Sequence, residues 1–425
     1  GDKVIFRTLR GVQVVDASSG RELWSTEEGI SPEELLVGES FDDDGNFIGG
    51  MRRAPFPRGA VGGVRLRGRF NGGGMYLGGS PDVYPLTNLL YRDGTHGILS
   101  SDGEQLFVIE DQAIMMSGSN GYGWNQQAEQ LDPYHRSWSS NRVTSYDLQT
   151  GRRLWEVGGR EMNEPFDPPL AGTYFFGVPV VEGRELYVIG EKQGEVRLFA
   201  LDPELGLPLW SQLIAYADAP IEQDLARRWF NTQIGISNGV IVCPTTLGWL
   251  VAVDRLKHTV LWAHRYVPPS NDRQPNLPNA AFVRIDRLNH YWSPSAPVIV
   301  GNRVIYTPTE EQVLVCVDLF DGSLLWKKSK GNNGLYLAGV FDDNVVVVGT
   351  RSVVSYSLSD GSTLWSAAFQ SDEGSPSGVG VAVGDRYYLP LDSGALWTID
   401  LNDGAVIERT QLPPALRRMG NLAMS

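Results

Sequence analysis

VTSYDLQTGRRLW, residues Val143 to Trp155, reads as an alternating strand that ends at Asp147, followed by Gly151 four residues later and Trp155 eight residues after the Asp. The same register returns in VQVVDASSGRELW (Asp16, Gly20, Trp24), LFALDPELGLPLW (Asp202, Gly206, Trp210) and LVCVDLFDGSLLW (Asp318, Gly322, Trp326). Three further copies are incomplete. Asp254 and Trp262 enclose His258 where the Gly would stand; Ser357, Gly361 and Trp365 lack the Asp; Asp400, Gly404 and Glu408 lack the Trp. A period of this kind marks a repeat architecture.

Each position has a physical task. The Asp ends a strand and accepts a backbone N–H two residues on, closing a tight turn. The Gly supplies a positive φ that residues with a Cβ resist. The Leu-Trp pair opens the next strand, and the indole has a large flat surface to bury. Two more strands lie upstream, as in Val178-Pro-Val-Val, a turn at Glu182-Gly183, and Leu186-Tyr-Val-Ile. Each unit is therefore a four-stranded meander, A to D, joined by hairpin turns. A lone meander cannot bury both faces, so the units must stack around an axis as a β-propeller. An open solenoid fits poorly with the long, uneven insertions.

The expectation is one all-β domain over residues 1–425, a seven-bladed β-propeller of four-stranded antiparallel blades. Large insertions are placed at 25–96, 111–141, 211–233 and 263–294. The stretch 25–96 leaves room for a degenerate eighth blade. The first copy begins at strand B (Val4-Ile-Phe-Arg), and Gly420 to Ser425 reads as a strand A. The C-terminus is thus expected to pair with residues 3–8 and close the first blade. Residues 219–232 read as a helix with Leu225, Trp229 and Phe230 on its apolar stripe and Pro220 in its first turn.

Composition narrows the function classes. The 425 residues carry a formal net charge of −14, with Gly 49 and Pro 25 suiting many short strands and turns. That acidity argues against a phosphate-backbone partner, so no nucleic acid is expected. The two cysteines, Cys243 and Cys316, lie in apolar strand-like runs and read as buried thiols, too few for a disulfide framework or a Cys-rich zinc site. No apolar run reaches membrane-spanning length. The start at Gly1-Asp2-Lys3, in mid-repeat, reads as an excised domain or a processed product.

These repeats resemble the pyrroloquinoline-quinone-type repeat of bacterial quinoprotein-like propellers. That repeat occurs in quinoprotein alcohol dehydrogenases and in the propeller lipoprotein of the outer-membrane β-barrel assembly machinery. The resemblance implies that Trp24, Trp155, Trp210, Trp262, Trp326 and Trp365 each dock on the neighbouring blade, and that the chain is extracytoplasmic. It does not bring a catalytic set. The dehydrogenases resemble one another in a disulfide between adjacent cysteines, which this chain lacks, and no Cys-x-x-Cys-His haem attachment is present. Their quinone sits with a Ca²⁺ held by Glu, Asn and Asp oxygens, and no motif places such a set here. No cofactor and no metal are expected, with pyrroloquinoline quinone and Ca²⁺ as the alternative.

Meander topology puts A–B and C–D turns on one face and B–C and D–A connections on the other. The A–B and C–D turns are short, so all the long segments fall on one face, where recognition concentrates. Candidate ligand-binding residues at this funnel mouth are His96, Trp124, His135, Trp138, Tyr174, Asn231, Gln233, Tyr291, Trp292 and Tyr336. They supply stacking platforms and amides suited to a flat or sugar-like ligand, or else they plug the channel. The preferred reading is a monomeric, non-catalytic scaffold that binds a protein or a small or glycan ligand on the loop face. The alternatives are a quinone- and Ca²⁺-dependent oxidoreductase, or other funnel-sited enzyme, and a sensor domain excised from a larger receptor.

Overall fold

The computed structural model describes residues 2–8, 11–26, 40–41, 47–49, 94–95, 97–110, 139–162, 165–221, 224, 227–228, 230–267, 292–331, 333–370, 373–413 and 420–422. Among them, seven antiparallel sheets carry the seven motif copies in chain order, and a separate two-stranded hairpin joins Ser40–Phe41 to Phe47–Gly49. Sheets two to seven are meanders in which each strand pairs with the next. In the third, the inner strand is split into Tyr174–Phe175 and Val180–Glu182, both pairing with Glu185–Lys192. The chain is an all-β propeller.

The strands face one another across blades, so the core lies between sheets. Val12, Val14 and Trp24 of the first sheet pack with Leu106, Val108 and Tyr146 of the second. Five further clusters repeat this between consecutive sheets up to the seventh.

The motif explains both the turn and the junction. In all seven copies the residue at the Gly position donates its N–H to the carbonyl of the Asp or Ser four back, at 2.8–3.0 Å. The Asp carboxylates of the first five full-Asp copies also accept two backbone N–H groups, as Asp147 does from Gln149 and Thr150 at 3.1 and 2.8 Å. The Ser18 and Ser19 hydroxyls hold the Asp16 carboxyl, the Thr150 hydroxyl the Asp147 carboxyl and the Lys257 N–H the Asp254 carboxyl below the usual carboxylate range, with the other turn donors adding to each. The indole of the preceding sheet then lies on the Gly. Trp24, Trp262, Trp326 and Trp365 donate Nε1–H to Leu148, Leu319, Leu358 and Leu401 carbonyls of the next sheet's turn at 2.8–3.1 Å, and Trp155 to Pro203 at 2.8 Å. A Cβ on Gly151, Gly206, Gly322, Gly361 or Gly404 would stand 2.4–2.8 Å from the ring above it. Glycine is needed twice over, for φ near +70° and for the indole.

The sixth indole differs where the sequence differs. His258 holds the positive φ of 57° in place of Gly, and its ring stacks on Trp210 with centroids 4.2 Å apart and planes 14° off parallel. Trp210 donates instead to Glu185 of its own sheet at 2.8 Å. The series also has two bare ends: Glu408 is exposed where an indole would stand, and Gly20 has nothing within 4 Å of its Cβ position.

Several expectations meet a different structure. The outer strands run on to Tyr216 and Arg265, so residues 211–216 and 263–265 belong to strands rather than to insertions, because their pairing with Glu195–Val196 and Trp249–Leu250 continues. The helix read over 219–232 is only partly covered: among its described residues Ile221 lies in a 3-10 turn and Arg227 and Arg228 are α-helical, while Leu225 and Trp229 lie outside the described residues. The expected first-blade closure finds no pairing with residues 3–8 among described residues. Leu422 donates to the Val379 carbonyl and Asn421 accepts from the Val379 N–H, each at 2.9 Å, while 423–425 lie outside the description. Most of 25–96, including the segments considered for an eighth blade, also lies outside it.

Candidate functional site

Strand Glu185–Lys192 of the third sheet ends on the loop face with two charged residues, and successive side chains on a strand point to opposite sides. Glu191 turns toward the excursion 217–234 and Lys192 toward the excursion 159–173. One strand end therefore holds both neighbouring loops.

On the first side, Glu191 and Arg227 form an ion pair with both side chains almost fully buried. Glu191 also accepts the Ile221 N–H at 2.9 Å, and Arg227 donates to the Ala219 carbonyl at 3.0 Å. Arg228 lies 4.4 Å over the Tyr174 ring, a cation–π contact in a dry setting. Thr95 donates to the Arg228 carbonyl at 2.8 Å and Asn231 to the Gly94 carbonyl at 3.0 Å, so residues preceding the second sheet are tied to the same loop. On the second side, Lys192 donates to Glu161 at 2.7 Å and to the Ala171 carbonyl at 2.8 Å.

Between the excursion 159–173 and the outer part of the third sheet opens a cleft of about 540 Å³. Its walls bring together Glu161, Asp167, Lys192, Glu195 and Arg197 over Phe199. Arg197 pairs with Glu195 at 2.8 Å and reaches Ser211 at 3.3 Å, and Asp167 accepts the Met162 N–H. The cleft presents paired charges of both signs around an apolar floor.

Two loop-face junctions are braced by polar ties, where the opposite face uses indoles. Buried Asn141 donates to the Phe175 carbonyl at 2.8 Å and accepts its N–H at 2.6 Å, bridging the second and third sheets. Glu310 accepts the Gly248 N–H at 3.1 Å and the Tyr266 hydroxyl, bridging the fourth and fifth. Burial pushes the Tyr266 hydroxyl well above its ordinary pKa, keeping it a donor. Asn141→Ala is expected to cost roughly 2–4 kcal/mol, because both Phe175 backbone groups lose their partner in a buried place. Urea unfolding measures this, and a loss below about 1 kcal/mol would show the bridge to be dispensable.

The sequence-predicted site residues divide. His96, Trp124, His135, Trp138 and Tyr291 lie outside the described residues. Tyr174 and Asn231 are brought together around Arg228, as above, with Gln233 half-buried nearby in the chain. Trp292 and Tyr336 belong to separate packing clusters. Trp292 donates to the Val313 carbonyl at 2.9 Å with the Lys330 ammonium 5.3 Å over its ring, and burial brings that ammonium down to about 8. Tyr336 donates to the Gly378 carbonyl at 3.2 Å and accepts the Gly380 N–H at 3.1 Å. Sequence reasoning missed Glu191, Lys192, Glu161, Arg227 and Asn141; the signal for the first two was a Glu-Lys pair ending an apolar strand.

Both cysteines are buried and free, and burial raises the Cys243 thiol and takes Cys316 to about 12, so neither is a ready nucleophile. Among the described residues no three His, Cys, Asp or Glu side chains come together as a metal-binding group. Trp292 and Tyr336 spend their polar atoms on the protein.

A family model described as outer membrane protein assembly factor BamB matches residues 139–283 and 246–424, more than half of the chain. The chain belongs to the BamB family. Among solved structures it is similar to BamB from Moraxella catarrhalis, at 15% identity over 78% of this chain and 89% of that one, with a TM-score of 0.44. It is also similar to the quinohemoprotein alcohol dehydrogenase ADHIIG from Pseudomonas putida HK5, at 13% identity, 56% and 42% coverage and a TM-score of 0.39. The computationally designed Ika8 protein matches at 13% identity, 67% and 85% coverage and a TM-score of 0.32. No curated protein matches the chain. The BamB family thus frames the fold.

Proposed function

We propose that this chain is a non-catalytic, extracytoplasmic binding scaffold that receives a protein partner on the loop face of its second and third sheets. The carrying observation is the cleft of about 540 Å³ between the third sheet and the excursion 159–173, which Lys192 ties to the strand end. A rigid rim with charges of both signs over an apolar floor suits a polypeptide surface, which brings its own charges and apolar anchors. The family's description, an outer membrane protein assembly factor, points to that machinery as the source of the partner and to the extracytoplasmic side as the place.

The test is binding of the purified assembly-machinery subunits from the organism that carries this chain, by biolayer interferometry. Glu195→Gln with Arg197→Gln is expected to weaken binding roughly tenfold or more at an unchanged thermal midpoint. Equal binding by parent and variant would move the partner surface elsewhere. A parallel titration with Ca²⁺ and pyrroloquinoline quinone, followed by absorbance, addresses catalysis: uptake at micromolar levels would overturn the non-catalytic reading.

A further inference from the structure

The excursion 159–173 carries the most exposed large apolar side chain among the described residues, Phe166 at 93%. Met162, at 62%, shares its turn, because the Asp167 carboxylate accepts the Met162 N–H at 3.1 Å. The base of the loop is braced. Gly158 donates to the Pro169 carbonyl and Gly172 to the Gly159 carbonyl, each at 2.8 Å, and Lys192 ties the loop to its strand. Pro165, Pro168 and Pro169 restrict φ on both sides of the ring. Phe166 is therefore a preorganised knob, with little backbone freedom left to lose when another surface covers it.

A socket lies beside the knob. Asp167 and Pro168, which follow Phe166 in the chain, form part of one wall of the cleft of about 540 Å³, and Phe199 lies at its floor. That volume is in the range that seats a drug-sized molecule, ample for one benzyl ring. The far lip is Tyr216, 67% exposed. It is the register partner of Glu195, and side chains directly opposite in an antiparallel pair share a face. Tyr216 thus stands on the side of the sheet that Glu195 gives to the cleft.

We infer that two copies of this chain pair through this patch, with Phe166 of each copy seated in the cleft of the other. One surface carries both a knob and a hole, which is what an isologous contact about a two-fold axis requires, each copy giving what it receives. The charges agree. Glu161, Asp167 and Glu195 line the cleft with Lys192 and Arg197, so the patch holds little of the chain's net charge of −14. Lys192 stands against Glu161 and Arg197 against Glu195, and a two-fold axis can set such alternating signs against their opposites. Pairing covers the cleft proposed above for a protein partner, so the dimer is the closed state of that site. It does not rest on that reading.

Sedimentation velocity of the full chain is expected to show a reversible monomer–dimer equilibrium by on the order of 100 μM, and Phe166→Ser to weaken it about tenfold or more. An exposed side chain contributes little to stability, so the thermal midpoint should hold, which separates lost pairing from lost folding. Disulfide trapping then reads the geometry. Cys243 and Cys316 are buried, so a Phe166→Cys chain mixed with a Ser211→Cys chain under mild oxidation reports the introduced thiols. Ser211 lines the cleft, and the trapped dimer is expected to join position 166 of one copy to position 211 of the other by peptide mass spectrometry. A parent that stays monomeric at that concentration overturns the proposal. So does a dimer that Phe166→Ser leaves unchanged, or trapping that joins like positions alone. Binding of the assembly-machinery subunits is a separate measurement, so the loss of either reading leaves the other standing.

Discussion

Glu191→Ala is expected to destabilise the protein by about 3–5 kcal/mol, since it leaves the Arg227 guanidinium buried without its carboxylate. The two side chains are 1% and 5% exposed, and Glu191 is also the acceptor for the Ile221 N–H. The damage should be local before it is global. Amides of residues 217–221 and 230–234 should lose hydrogen-exchange protection ahead of the third sheet, because this pair and the Ile221 N–H bond tie the loop to the strand end. Adding Arg227→Met to Glu191→Ala should restore much of the loss, as an apolar replacement removes the uncompensated charge. A single variant within about 1 kcal/mol of the parent would mean that the pair is solvated and does not hold the loop.

Trp262→Ala is expected to cost about 3–5 kcal/mol, the range for removing a buried aromatic from a core. The indole is buried between the fourth and fifth sheets and donates to the Leu319 carbonyl. Gly322 beneath it permits a sharper experiment. Gly322→Ala adds a Cβ 2.6 Å from the Trp262 ring at a φ of +70°, so backbone strain and overpacking act together, at roughly 2–4 kcal/mol. Gly20→Ala occupies the same turn in the first sheet at a φ of +67° with nothing within 4 Å, so it carries the backbone cost alone, about 1 kcal/mol. The difference between the two, read from guanidinium midpoints, isolates the contribution of the indole. Equal losses would show that the glycine serves only the turn.

The repeat was legible because each of its parts acts over a few residues. An Asp that accepts N–H groups two and three positions on, and a Gly at positive φ, declare themselves by spacing in any one copy, and seven copies remove the ambiguity of one. Cys243 and Cys316 were legible as buried thiols for the same reason, since apolar neighbours on alternate positions place them in strand interiors. Even the departure at His258 was visible. Its consequence was not, because nothing local says that Trp210 will turn to Glu185 and stack on the imidazole. Tyr174 and Asn231 were singled out as aromatic and amide groups before inner strands. Their actual setting depends on Arg228, which the sequence reading of 219–232 did not single out.

The amino-acid order alone determined the all-β class, the four-stranded unit, the wedge residues and the face that bears the long connections, since all of these follow from short-range periodicity and from the antiparallel sense of a meander. Tertiary structure alone decided that Glu191 meets Arg227 and Lys192 meets Glu161, 36 and 31 residues apart. It also decided that Asn141 clasps Phe175. Partners so distant in the chain carry no spacing rule, and their pairing exists only because stacked sheets exclude water there and leave each buried charge or amide a single place to be satisfied.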